Sequence, residues 1–218
     1  MGVRSESTEE YLEAIYKLGG VGADVTVRDL AAALGVARPS VSQMLARLAA
    51  SSLVRRGAGG AVTLTDGGAV EAALLIRRHR LSERFLADYL ALPWDQVHDE
   101  ACKFEHVLSD EVEERLAEQL GNPATCPHGH AIPAHDGSVA AVATRPLSAV
   151  DAGESTTIVH IVDEQSDLLC YLASLGLLPD TAVVVEGVAP FGGPLLVRVG
   201  EAQYALGREV ADKIHVSC

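Results

Sequence analysis

The chain has 218 residues, of which 48% are hydrophobic and 4% aromatic, so aliphatic side chains must supply its core. Thirty acidic against 17 basic side chains give a net charge of −13, which at first argues against a nucleic-acid partner. No apolar run is long enough to span a bilayer and the N-terminus does not read as a signal peptide, so the expected location is the cytoplasm, with no membrane partner. Cys102, Cys126, Cys170 and Cys218 fit no disulfide framework and, in a reducing compartment, read as buried thiols or metal ligands. The charge is unevenly spread. Residues 1–70 hold seven basic and seven acidic side chains, residues 71–150 seven and thirteen, and residues 151–218 three and ten. A polyanion would therefore meet the front of the chain.

The first predicted helix opens at STEEYLEAIYKLGG, where Ser7 and Glu10 have capping-box spacing, Tyr11, Leu12, Ile15, Tyr16 and Leu18 form an apolar stripe, and Gly19-Gly20 ends it. In VTVRDLAAALGVARPSVSQMLARL, Leu30, Ala33 and Leu34 make a short face that Gly35 breaks. Pro39 then suits the first turn of a new helix carrying Val41, Leu45 and Leu48. Two short helices about a glycine turn, followed by LVRR, GAGG and AVTLT as a hairpin, predict a helix-turn-helix with a wing. A plain αα-hairpin lacks the wing and the polar face of Ser40, Gln43 and Arg47, both of which suit a reader of DNA.

A long helix over about 67–91, capped by Thr65 or Asp66, comes next, then Pro93-Trp94, a helix through HDEACKFEH, and a third after Ser109 carrying Val112, Leu116 and Leu120. Three such helices would bury poorly alone, which predicts a dimer interface. Residues 122–152 read as loop and linker. From 153 onward, STTIVHIV, TAVVVEGVA, LLVRVG and IHVSC alternate as strands around a helix at DLLCYLASLGL, and a small β-barrel closes so few short strands.

On a helix, His98, Cys102, Glu105 and His106 fall at i, i+4, i+7 and i+8 and share one face. Imidazole, thiolate and carboxylate together suit a divalent transition metal such as Mn, Fe, Co, Ni or Zn, against the plain alternative of a solvated acidic helix with one buried cysteine. His79 and Glu83 repeat the i, i+4 arrangement on the preceding helix. Cys126-Pro-His128-Gly-His130 sets a thiolate and imidazoles on a stiff loop, which reads equally well as incidental or as ligating. Glu10 and Glu13 lie on the first helix, and Glu13 reads as solvated charge.

TEEYLEAIY, PSVSQMLARL, the wing ending AVTLT, RRHRLSERF, HDEACKFEHVLSDEVEERL and CPHGHAIP, in that order, resemble the diphtheria toxin repressor family of metal-dependent transcriptional regulators, which includes iron-dependent and manganese transport regulators. The resemblance covers essentially the whole chain. It implies a mainly α fold: a winged helix-turn-helix DNA-binding domain at 1–72, a helical dimerisation and metal-binding domain at 73–140, a linker at 141–152, and an SH3-like (FeoA-like) β-barrel at 153–218.

By position it also implies two metal sites per chain. One takes Glu10, Cys102, Glu105 and His106. The other takes His79, Glu83 and His98 with polar residues of the barrel near His160 and Asp163, or, in a manganese-responsive branch, Glu83, Cys126, His128 and Asp163. Iron-responsive members tend to carry methionine where this chain has Glu10, and manganese-responsive members a carboxylate where it has Cys102. The set mixes hard and softer donors and leans to Mn(II), with Fe(II) the alternative; Co(II), Ni(II), Zn(II) or Cd(II) can substitute. The implied partners are a second copy of the chain and palindromic double-stranded operator DNA. Pro39, Ser40 and Gln43 would face base edges, and Arg28, Arg47 and Arg56 phosphates. The implied role is a metal-activated repressor, not an enzyme. The competing classes are a zinc hydrolase, which would need an H-E-x-x-H helix that the sequence lacks, and a metal-buffering protein, which would not need the wing.

Overall fold

The computed structural model describes residues 6–19, 22–57 and 60–218, in two compact units. The first comprises residues up to 79 with 133–139, and the second 80–132 with 140–218.

In the first unit, α1 (Glu6–Gly19), α2 (Val27–Ala33) and α3 (Arg38–Ala50) precede a hairpin of β1 (Val54–Arg56) and β2 (Val62–Leu64). α1 begins at Glu6, so Ser7 lies inside the helix and not at its cap. Gly20 and the wing-turn residues Ala58 and Gly59 lie outside the described residues. Thr26 caps α2 by accepting from the Asp29 amide at 3.1 Å, and Pro39 sits in the first turn of α3 as its missing N–H requires. The apolar stripes converge: Leu12 and Ile15 of α1, Leu30 of α2, and Val41, Leu45 and Leu48 of α3 form one cluster with Val54, Val62 and Leu64 of the hairpin. β1 pairs antiparallel with β2, and Val25 bridges to Val62 as a third, single-residue strand. The helix-turn-helix with a wing is therefore the observed arrangement.

Helix α4 (Asp66–Asp88) starts where the Thr65 hydroxyl accepts the Gly68 amide at 3.0 Å, which settles the cap on Thr65. Its last residues open the second unit, followed by α5 (Val97–Phe104), a 3-10 turn at Glu105–Val107 and α6 (Asp110–Gln119), capped by Ser109 as the sequence predicts. The rest is β3 (Thr144–Pro146), β4 (Ser155–Ile161), α7 (Ser166–Ser174), β5 (Ala182–Val188), β6 (Leu195–Val199), β7 (Ala202–Leu206), α8 (Arg208–Ala211) and β8 (Ile214–Ser217). The six strands form one antiparallel sheet in the order β3-β8-β4-β5-β6-β7. Irregularities between Ile158 and His160 and between Val185 and Gly187 bend it, and residues from β4 to β8 and α7 share one aliphatic core.

The expected linker at 141–152 is not one. Thr144–Pro146 is the edge strand β3, and Leu147 and Val150 are buried in the barrel core. A three-residue strand has too little alternation to be seen in an alanine-rich sequence.

Three imidazoles line up here, His160 and His215 on the sheet and His130 on the loop before it. The His160 ring centre lies 4.7 Å from that of His130 and 4.8 Å from that of His215. Burial, then the neighbouring His130 and His215, push His160 down to about 4. The unfolded chain takes up that proton near pH 6.5, before the folded chain does, so stability is complete above that pH and declines as pH falls toward 4. Because the ring is partly exposed, the expected loss is on the order of 1 kcal/mol. Melting of the metal-free chain at pH 7.5 and pH 5 measures it. His160→Phe should flatten the difference, and an unchanged difference would assign the acid sensitivity elsewhere.

Candidate metal centre and DNA-reading face

The loop after α6 turns at Cys126-Pro127-His128-Gly129, where the Gly129 amide donates to the Cys126 carbonyl at 2.9 Å. The Cys126 amide donates to the His130 carbonyl at 2.9 Å, and Thr125 bridges to Ala131. The loop is tied to its surroundings at three points. The Arg80 guanidinium donates to the Ala131 carbonyl, the Ile161 amide of β4 donates to the His128 carbonyl at 3.1 Å, and the Trp94 indole donates to the Pro127 carbonyl at 2.9 Å. Trp94 also fixes the imidazole: His128 Nε2 lies 3.0 Å from the Trp94 carbonyl, and the two rings are 5.3 Å apart.

That last bond determines what the site can do. With Nε2–H given to a carbonyl, Nδ1 presents its lone pair inward. His128 is fully buried, and Nδ1 makes no hydrogen bond although it lies 3.2 Å from Glu83 Oε1 and 3.6 Å from Glu164 Oε1. The imidazole nitrogen and the carboxylate oxygens face each other in a buried pocket, where either a proton or a metal cation between them would satisfy both. The donor atoms of Glu83, Cys126, His128 and Glu164 all lie within 4.8 Å of one another, the span of a metal coordination shell. Burial pulls the His128 imidazole down, the Glu83 carboxylate backed by Glu164 pushes it up, and the net shift is upward. Burial and the same carboxylates push the Cys126 thiol well up. A divalent ion would reverse the logic, displacing the proton from His128 and ionising the thiol.

Glu83, Cys126 and His128 were named from the resemblance, which placed the barrel carboxylate at Asp163. Asp163 Oδ2 pairs with Lys213 Nζ at 2.8 Å and Oδ1 accepts the Gln165 amide at 3.1 Å, so it is engaged within the barrel. Glu164 is the barrel carboxylate whose oxygen lies within 4.8 Å of the Glu83, Cys126 and His128 donor atoms. His160 stands in the imidazole row and outside the four-donor set.

His98 joins the same neighbourhood. Its Nδ1 lies 2.7 Å from Glu164 Oε2 and 3.4 Å from Glu83 Oε1, and its Nε2 faces Cys102 Sγ at 3.7 Å. Burial alone would lower it, but the bonds to Cys102, Glu164 and Glu83 prevail and push it up to about 11. The α-helix ends at Phe104, so Glu105 and His106 fall in the tighter 3-10 turn, where Glu105 is buried with Oε1 3.5 Å from His106 Nε2. On α1, Glu10 is exposed. Glu13, read as solvated, is only 9% exposed. Its carboxylate pairs with Lys17 at 2.8 Å and has a donor atom within 4.8 Å of one on His79. The signal was available: Glu13 falls between Leu12 and Ile15 on the buried stripe.

On the helix-turn-helix, Arg28, Pro39, Ser40, Gln43, Arg47 and Arg56 are all exposed. Arg56 reaches back to donate to the Ser42 carbonyl at 3.1 Å, and Arg28 leans on Asp29 at 3.4 Å. Arg38 at the start of α3 and Arg55 on β1 are also exposed and extend the basic surface beyond the residues the sequence suggested.

Comparisons with known proteins agree with this organisation. The iron dependent repressor N-terminal DNA binding domain matches residues 4–58, the iron dependent repressor metal binding and dimerisation domain 65–134, and the FeoA domain 145–218. The chain is 34% identical over 224 residues to the iron-dependent repressor IdeR of Mycobacterium leprae, covering 97% of this chain and 96% of that one. It is 40% identical over 131 residues to the diphtheria toxin repressor of Corynebacterium diphtheriae, covering 60% and 58%. Among solved structures, a manganese-dependent transcriptional repressor in complex with manganese superposes with a TM-score of 0.90 at 36% identity, covering 96% of this chain and 99% of that one. The IdeR of T. acidophilum gives 0.82 at 30% identity, covering 99% of each. With all three modules in this order and end-to-end likeness to such repressors, the chain belongs to the iron-dependent, diphtheria toxin repressor family of metal-dependent transcriptional regulators, whose members are repressors and not enzymes.

Proposed function

We propose that the chain is a cytoplasmic, Mn(II)-activated repressor that binds palindromic operator DNA as a homodimer and holds metal at the Glu83, Cys126, His128 and Glu164 centre. The observation that carries this reading is the buried His128 Nδ1 aimed at carboxylates with no hydrogen-bond partner. Two carboxylates with one imidazole and one thiolate suit a first-row divalent ion, and the hard majority favours Mn(II). The thiolate keeps Fe(II) as the second reading, supported by the likeness to iron-dependent repressors. Glu10, Cys102, Glu105 and His106 are retained as a further set of ligands on the resemblance, and His79 and His98 as ligands beside Glu83. The exposed apolar side chains Tyr89, Leu90, Val107 and Val112, in the span that matches a dimerisation domain, support the homodimer.

The protein carries a large negative charge, so metal ions offset part of its repulsion from phosphates and operator binding rises with occupancy. Anaerobic titration of operator binding with Mn(II), Fe(II), Co(II) and Zn(II) tests the proposal. Full activation by Mn(II), the weakest binder of the four, supports it, and no activation by Mn(II) at any concentration removes it.

The reading face predicts a separable pair of effects. Gln43→Ala should relax sequence choice at one operator position, at about 1–3 kcal/mol, because an amide reads a base edge. Arg47→Ala should weaken specific and random DNA alike and flatten the salt dependence. Identical behaviour of the two variants on both DNAs would mean that α3 is not the recognition helix.

A further inference from the structure

The barrel carries a pair of imidazoles that the carboxylate centre does not use. His160 and His215 stand opposite each other on the antiparallel strands β4 and β8. An irregularity between Ile158 and His160 sets this register, and such bulges re-aim a side chain beside functional groups. The two ring centres are 4.8 Å apart and the rings are tilted by 34°. An ion bonded at about 2.0–2.1 Å to a nitrogen of each ring lies roughly 3 Å from either centre. Two rings on one ion are therefore about 4.5–5.2 Å apart for angles of about 90–110°. The observed spacing falls in that range.

The nitrogens are disposed for such an ion. His215 Nδ1 lies 3.2 Å from the Thr144 hydroxyl of the edge strand β3, which orients the ring and leaves Nε2 as the available donor. His160 has no hydrogen-bond partner among the described residues, its neighbours being the His130 and His215 rings. Both rings are partly exposed, so an ion can enter from solvent. The third imidazole of the row is turned away. His130 Nε2 lies 2.8 Å from the Ile161 carbonyl and 3.5 Å from Glu164 Oε1. Burial alone shifts His215, downward, with no carboxylate acting on it.

From this cross-strand pairing we infer that His160 and His215 form a separate, imidazole-only binding site for a late first-row divalent ion, Zn(II), Ni(II) or Cu(II). Water fills the remaining positions, and the ion exchanges readily because the protein gives it two ligands. The site does not depend on the proposed Mn(II) centre. Its chemistry is also different: imidazole suits zinc, nickel and copper, whereas Mn(II) stands lowest in the affinity order and is matched by oxygen donors. The barrel thus offers a place for ions other than the one its carboxylate serves.

Titration of the full-length, metal-free chain with Zn(II), followed by NMR of the histidine side chains and by equilibrium dialysis, tests this. His215 Nε2 and one nitrogen of His160 should shift together along a single binding curve. His215→Phe keeps a flat ring against His160. It should lose the His160 shift and one Zn(II) per chain, with the Mn(II) content of the wild type unchanged. A His215 ring unmoved at saturating Zn(II), or a His160 shift that survives in His215→Phe, overturns the site. So does equal Zn(II) content in the two chains. A matching loss of Mn(II) in the variant would join the pair to the carboxylate centre and overturn its separateness. The wild-type spectrum needs no variant, so a misfolded substitution does not shield the inference.

Discussion

Gly129→Ala should detach the Cys126–His128 loop from the barrel and cost the protein about 2–4 kcal/mol of stability together with metal binding at this centre. Gly129 has φ +88°, a conformation in which a Cβ is strained whatever surrounds it. Here the surroundings are also closed. A Cβ at this position would lie 1.9 Å from the Val159 carbonyl oxygen and 2.9 Å from the His160 Cα. Both are backbone atoms of β4, a strand paired on either side, so neither can move aside as a flexible side chain would. The loop must lift instead, which breaks the Ile161 to His128 hydrogen bond and withdraws the imidazole from Glu83. Thermal unfolding reads the stability, and equilibrium dialysis with Mn(II) or Co(II) reads the metal. A Gly129→Ala chain that melts and binds as the wild type does would mean that the loop is not held against β4 in solution.

This dependence on a distant strand shows which features the sequence could carry. The helix-turn-helix was legible because its signals are local: Gly35 and Pro39 punctuate it, and Val41, Leu45 and Leu48 repeat at helical spacing within 13 residues of chain. The reading of Cys126 and His128 as ligands came from the resemblance. Nothing in CPHGH itself says that Trp94, more than 30 residues earlier, takes the outer nitrogen of one imidazole and leaves the other inward. Glu13 failed for another reason. It was judged by its charge, when its place on the buried stripe of α1 was the better guide. The edge strand β3 was hidden because three residues are too few to show a period, and its partner β8 lies at the far end of the chain.

Glu164→Ala should abolish tight metal binding at the centre, whereas Asp163→Ala should leave it within about twofold of the wild type. The two carboxylates are adjacent in sequence, and an assignment by alignment chose Asp163. What separates them is the end of β4 at Ile161, after which the chain turns toward α7. Asp163 is drawn to Lys213 at the start of β8, 50 residues on, while Glu164 is left facing His98, His128 and His130 at 2.7, 3.6 and 3.5 Å. The Asp163–Lys213 pair is partly exposed on both sides, so its removal should change stability by no more than about 1 kcal/mol. Loss of Glu164 removes a direct donor. Since outer-shell partners of a metal site are already worth about 10–100-fold in affinity, the loss should exceed that range. It also takes from His98 its nearest carboxylate, so the imidazole should fall from about 11 toward its ordinary range in the metal-free chain. Co(II) is the informative probe, because a thiolate-to-cobalt absorption band reports whether Cys126 still ligates. Wild type and Asp163→Ala should show the band at similar Co(II) concentrations, and Glu164→Ala only at concentrations more than a hundredfold higher, if at all. The reverse order, with Asp163→Ala losing the band and Glu164→Ala keeping it, would return the barrel's ligand to Asp163 and dismantle the centre described here.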